Sequence, residues 1–167
     1  MRLERPSLKW EKEHIAYMRE WDDGRLKPSS FFLNEGVPYE VYLEELAVKE
    51  AGQGERVPNS NYFLVDDDDR IIGMVNIRHS LNDYLRQVDG HIGASIRPSE
   101  RRKGHATYLL SEALNITDRL GIRFVLVTCN EDNIGSAAVI LNNGGVEDES
   151  FTEPHGNVIR RFWIERG

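Results

Sequence analysis

The chain has 167 residues, 40% hydrophobic and 29% charged, with a formal net charge of −7 and one cysteine. This fits one soluble domain over 1–167 that buries its own core without disulfides or structural metal. The acidic balance argues against a nucleic-acid partner, the charged start Met1–Trp10 lacks a signal peptide's apolar core, and no apolar run approaches membrane-spanning length. The lone Cys129, with no CxxC or Cys/His cluster, points to a reducing, cytoplasmic compartment and away from zinc.

Met1–Arg5 reads as a short strand ended by Pro6. From Ser7, an N-cap type, Leu8, Ile15, Met18 and Trp21 follow one helical face until Asp23–Gly24 stops it. Gly24–Gly36 is loop-like, and its Phe31–Phe32–Leu33 cluster is read as core packing before pocket wall or lid. A second helix begins near Pro38, buries Val41, Tyr42, Leu46 and, towards its end, Val48, and stops by Gly52. Gly52–Ser60 is polar and turn-rich. Asn61–Val65 and Arg70–Arg78 form a β-hairpin about Asp66–Asp69, a solvated turn of like charges rather than a steering patch.

Ser80–Val88 is a loop or a short helical turn, and Gly90–Arg97 a strand stopped by Pro98. Gly104–Leu120 has helical spacing and ends at Gly121. Arg123–Cys129 is nearly continuous β-former, as expected of a strand covered on both faces. Ile134–Leu141 is a short helix ended by Asn142–Gly145, and Val158–Ile164 a last strand. A hairpin beside one strand–helix–strand unit implies an α/β fold: a mixed, mostly antiparallel central sheet with helices on both faces.

The chemically informative stretch is Ser95-Ile96-Arg97-Pro98-Ser99-Glu100-Arg101-Arg102-Lys103-Gly104-His105-Ala106-Thr107, between a strand and a helix. A helix start offers unpaired N–H groups and the positive end of the dipole to an anion. Small Gly104 and Ala106 let that anion approach, and Arg101, Arg102 and Lys103 add charge. These features describe a diphosphate site. GxGxxG and GxxxxGK[ST] are both absent, which argues against a Rossmann site and a P-loop.

The pattern present, Arg101-x-x-Gly104-x-Ala106 preceded by Ile96-Arg97-Pro98, resembles the [QR]-x-x-G-x-[GA] motif of the GCN5-related N-acetyltransferases (GNAT), in their uncharacterised bacterial branch. Asn133-Ile134-Gly135-Ser136 resembles that family's Asn-x-x-[AS] segment, and Asn142–Gly145 stands where a Gly-Phe pair is common. The resemblance covers about residues 60–165 and is looser in the N-terminal helices. It implies acetyl-CoA as co-substrate, with no metal. The pyrophosphate would sit against Arg101, Arg102, Lys103, Gly104, His105, Ala106 and Thr107; Ile96, Arg97 and Pro98 would also bind the cofactor; and so would Asn133, bonding the pantetheine arm or bound water, and Ser136. It also implies direct acetyl transfer to an amine of a small molecule or peptide, with the backbone N–H near Ile96 polarising the acetyl carbonyl.

The family often places a general-acid Tyr seven residues beyond the Asn; here that position is Ile140, leaving Tyr108 and Tyr84 as substitutes or packing aromatics. Base candidates are His91, Asp89 and Glu45, with a hydrogen-bonded core role the alternative for His91. His105 fills a variable motif position, and Cys129 lacks the His partner of a nucleophile. The Ile140 departure keeps open a second reading, a CoA-binding sensor or interaction module without catalysis. The acceptor and the oligomeric state are open, a homodimer among the options.

Overall fold

The computed structural model describes every residue except 22–25 and 53–55, so the Asp23–Gly24 helix stop and part of the Gly52–Ser60 turn lie outside the described residues. Its elements in chain order are β1 (Arg2–Glu4), α1 (Glu11–Arg19), α2 (Tyr39–Glu50), β2 (Asn59–Val65), β3 (Ile71–Arg78), β4 (Ile92–Ile96), α3 (His105–Arg119), β5 (Phe124–Asn130), α4 (Ile134–Asn142), β6 (Val146–Thr152) and β7 (Val158–Glu165). The strands form one seven-stranded sheet in the order β1-β2-β3-β4-β5-β7-β6. Only β4 and β5 run parallel, joined by α3, and the other neighbours are antiparallel.

The β2–β3 hairpin turns as read, because Asp66 Oδ1 accepts the N–H groups of Asp68 and Arg70 at 2.9 and 3.0 Å. Alternation along the strands divides the core. Phe63, Val65, Ile71 and Met74 pack with Trp10, Tyr17 and Phe31 on the α1 face. Leu64, Val75, Ile77 and Ile92 pack with Leu109, Ala113, Leu114 and Ile140 on the α3–α4 face. Phe31 is therefore core, as expected, but Phe32 is exposed. On α2, Tyr39, Tyr42 and Leu46 are buried, whereas Val41 and Val48 are exposed, a correction to the sequence reading. The helix opens one residue after Pro38, and its covered stripe follows Tyr39. Ser7 precedes a short 3-10 turn and makes no side-chain cap.

The sequence reading missed β6. Its Glu147-Asp148-Glu149-Ser150 core is almost wholly exposed, so it carries no apolar alternation. It is an edge strand, held by cross-strand ion pairs from Arg160 to Glu147 at 2.7 Å and Arg161 to Asp148 at 3.3 Å.

The parallel pair departs from a regular ladder. β4 pairs with β3 over Ile92–Ile96, but meets β5 only at Ile92↔Val127. Just before that pair, His91 ties the strands: its N–H donates to Leu126 O at 2.8 Å, and its Nδ1 accepts the Leu126 N–H at 2.9 Å. Beyond it the strands part, and a wedge opens towards their C-terminal ends. Gly90 permits the close approach at the base. Its φ is +65°, and a Cβ there would stand 2.5 Å from Leu126 O. Gly90→Ala is therefore expected to destabilise the protein by at least about 2 kcal/mol. Urea denaturation checks this; an unchanged midpoint would mean that the strands separate without loss.

Candidate active site

The wedge exposes backbone donors. Arg97 N–H pairs with Ile72 O at 2.8 Å, and antiparallel pairing alternates along a strand, so Ser95 and Gly93 also face β3. The intervening residues Ala94 and Ile96 turn their N–H groups to the β5 side, where β5 has moved away. The sequence reading named Ile96 for such a role; Ala94, the equivalent position nearer the base, it missed.

Directly after β4 the chain makes a short 3-10 turn, Pro98–Glu100, and then a loop into α3. Arg102 has φ +62° and Gly104 φ +80°, and these two left-handed residues gather successive N–H groups into a concavity. The first helical bond is Tyr108 N–H to Gly104 O at 3.3 Å. Among the described residues, the N–H groups of Arg102, Lys103, Gly104, His105, Ala106 and Thr107 find no acceptor. A fifteen-residue helix stands behind them. Six donors and a helix dipole beside an opened sheet fit a diphosphate followed by a thin extended arm.

The loop's side chains are braced from outside. Arg101 lies over the Trp21 ring, 4.9 Å from its centroid. Glu100 pairs with Arg70, with Lys103 at 3.0 Å and with His105 at 3.7 Å; the Lys103 and Arg70 contacts hold its carboxyl below the usual range. Arg97 corrects an expectation. Its guanidinium is buried, with Nε on Glu20 at 2.9 Å and Nη1 on Glu13 at 3.2 Å, and its backbone N–H and O are paired with Ile72 O and the Glu100 N–H, both at 2.8 Å. Glu20 also accepts from the Ser99 N–H and hydroxyl, locking the turn to α1. Sequence spacing gives no sign of Glu13, Glu20 or Trp21 in this support.

Asn133 opens α4 as its N-cap, its Oδ1 accepting the Ser136 N–H at 3.1 Å. This cap accounts for the Asn133 carbonyl oxygen and the Ser136 N–H structurally; at the start of α4, Asn133 is exposed and Ser136 half-buried. Asn143 ties α4 to α3 through Thr107 O at 3.3 Å. Ile140 is buried at 2% exposure and touches Gly145, so no side-chain acid stands there. Tyr108 donates to Met1 O, while Tyr84 is exposed and held protonated, its pKa raised by desolvation and by Asp89. Glu45 lines a cavity between α1 and α2, remote in sequence from the wedge residues. Cys129 is buried, and desolvation pushes its thiol pKa up, away from nucleophilic use.

His91 does not fit the role of general base. Its Nδ1 lone pair is taken by the Leu126 N–H, and burial, with Arg78 and Arg86, lowers its pKa to about 4. Burial likewise lowers buried His14 to about 4; its Nδ1 meets Tyr39 Oη and its Nε2 meets Phe31 O. Both folded values lie below the ordinary 6.5, so the unfolded chain takes up protons that the folded one refuses. Stability is then full above pH 6.5 and falls as pH drops towards 4. The loss should begin between pH 6.5 and 5, by up to about 1.4 kcal/mol per histidine per pH unit. Urea midpoints should fall across that range and flatten in a His14→Gln/His91→Gln variant; a flat wild-type profile would contradict the assignment. In His91→Gln the pH–rate profile should keep its shape.

Among the described residues, no group of three or more His, Cys, Asp or Glu is arranged for a metal, and no helix is long and apolar enough to cross a membrane. Residues 16–146 match the model of the acetyltransferase (GNAT) domain. No curated protein matches the chain in sequence. Among solved structures it is similar to ribosomal-protein-S5-alanine acetyltransferase from Vibrio fischeri, at 14% identity and TM-score 0.72 over 98% of this chain and 91% of that one. It is also similar to spermidine N-acetyltransferase from Vibrio cholerae, solved with CoA and spermine, at 18% identity and TM-score 0.64 over 98% and 94%.

Proposed function

The chain belongs to the GNAT acetyltransferase family, and from that membership we propose that it moves the acetyl group of acetyl-CoA directly to an amine acceptor, with the pyrophosphate on the loop Arg101–Thr107. The observation that carries this reading is the run of six N–H groups, Arg102–Thr107, that find no acceptor among the described residues, beside the opened β4–β5 wedge. The structural relative that holds CoA supports the donor.

In this reading the arm lies along the wedge, and the thioester carbonyl oxygen accepts from the Ile96 N–H, with Ala94 the neighbouring donor. A neutral amine attacks the carbonyl carbon: the C–N bond forms, the tetrahedral oxyanion is held by the backbone donor, and the C–S bond then breaks. The thiolate departs with its electron pair, and the extra proton on nitrogen goes to solvent. A thiol near a cysteine's pKa, about 8.5, leaves without a strong acid, which makes the buried Ile140 tolerable. With His91 locked in the sheet, the rate should rise with pH towards the acceptor amine's own pKa.

The test is thiol release from acetyl-CoA across a panel of amines, with binding followed by calorimetry. Binding with turnover supports the proposal. Binding without turnover on any amine favours the sensor reading, which the apolar Ile140 keeps alive. Absence of binding overturns both.

A further inference from the structure

Arg78, at the end of β3, is a charged group that the reaction outlined above leaves unused. Its Nη1 donates to Asp89 O at 3.2 Å, its one hydrogen bond among the described residues, and the Asp89 carboxylate acts on it only through space, without an ion pair. A guanidinium has five N–H donors in a planar fork, so most of this one's capacity is open. The group lies against β4. A Cβ on Gly93 would stand 3.2 and 3.3 Å from its two terminal nitrogens, so the missing side chain makes the room it occupies.

Arg78 helps line a cavity of about 330 Å³ on the α1–α2 face of the sheet. Lys49 and Arg56 line it too, no carboxylate among the described residues does, and Asn82 and protonated Tyr84 add uncharged donors. That sign is opposite to the chain's net −7. It is also opposite to the cavity between α1 and α2, about 370 Å³, which presents Glu11, Glu35 and Glu45 against Arg19. Gly93 stands one residue before Ala94 and three before Ile96, about 3–10 Å along a strand. A group seated on Arg78 would therefore keep a nearby amine within reach of the wedge.

We propose that the acceptor is an amine carrying a carboxylate, as in a free amino acid, and that Arg78 holds this carboxylate through its planar fork. This rests on the acetyl-transfer reading. A carboxylate matches the guanidinium bidentately, through two parallel charge-assisted hydrogen bonds. A polyamine would instead meet three cations.

The test compares free amino acids with their α-amides, and with spermidine, in thiol release by the full chain. Binding of the N-acetyl amino acids and N-acetyl amino amides to the CoA-saturated protein is measured by calorimetry. The expected result is a preference for the free acid of about 30-fold in kcat/KM. Arg78→Gln should raise KM for the acid by a similar factor and erase the preference, with acetyl-CoA affinity unchanged; Arg78→Lys should fall between. Equal use of acid and amide overturns the proposal, as does a preference for spermidine. So does acetyl-CoA binding with no carboxylate of the panel bound or acetylated. The acid–amide comparison needs no variant and stands even if Arg78→Gln fails to fold. Absence of acetyl-CoA binding would instead overturn the acetyl-transfer reading, and this proposal with it.

Discussion

Gly104→Val is expected to weaken acetyl-CoA binding by about 100-fold, ~2.7 kcal/mol, while the protein stays folded. Gly104 has φ +80°, and a Cβ there meets no atom within 4 Å. Valine would thus collide with nothing in the protein, but its methyl groups would fill the open space over the N–H groups of the loop. The left-handed backbone would cost a β-branched residue about 1–3 kcal/mol of stability. Gly121 separates these effects. It has φ +75°, is equally open, and sits past the far end of α3. Gly121→Val should show a similar stability loss and an unchanged affinity. If both variants bind acetyl-CoA as the wild type does, the pyrophosphate lies elsewhere.

Ile96→Pro is expected to lower kcat by about 10²–10³-fold, the usual loss when one oxyanion donor is removed. The Ile96 N–H faces the wedge and not β3, so removing it breaks no bond of the β3–β4 ladder. Proline also suits the extended backbone before it. Ile96→Val, which keeps the N–H, should change kcat little, because the side chain only packs at the margin of the α3–α4 core. The comparison of kcat with acetyl-CoA affinity carries the result: the loss should be larger in kcat. An active proline variant would show that another donor, Ala94 the nearest, polarises the carbonyl.

The loop was legible because backbone chemistry leaves a local mark: a basic run, a small residue at each close approach, a strand before and a helix after. The strands and helices around it were legible for the same reason, through periodicity. β6 was not, because an exposed edge strand of Glu147, Asp148 and Glu149 needs no apolar face and is held by Arg160 and Arg161, residues distant in sequence. Position in the motif places Arg97 with the cofactor, yet its guanidinium turns to Glu13 on α1 and to Glu20 just past its end, some eighty residues earlier. For His91 the sequence offers both a base and a hydrogen-bonded core residue; the register of β4 against β5 decides for the second, with its lone pair in place of a strand's carbonyl. Arg78 carried no signal in the sequence, since an arginine at a strand end is ordinarily solvated. Its meaning comes from the glycine beneath it and from having no direct ion pair among the described residues.

Acetyl-CoA titration into amide-labelled protein, followed residue by residue by NMR, reports directly on the donors that hold the cofactor. The amides of Arg102–Thr107, with those of Ala94 and Ile96 in the wedge, should shift together with a single dissociation constant, while the amides around Arg78 stay near their free positions until an acceptor is added. Saturation of the cofactor with those loop amides unmoved, or with the shifts gathered in the Arg78 cavity instead, would contradict the placement of acetyl-CoA at the β4–α3 loop.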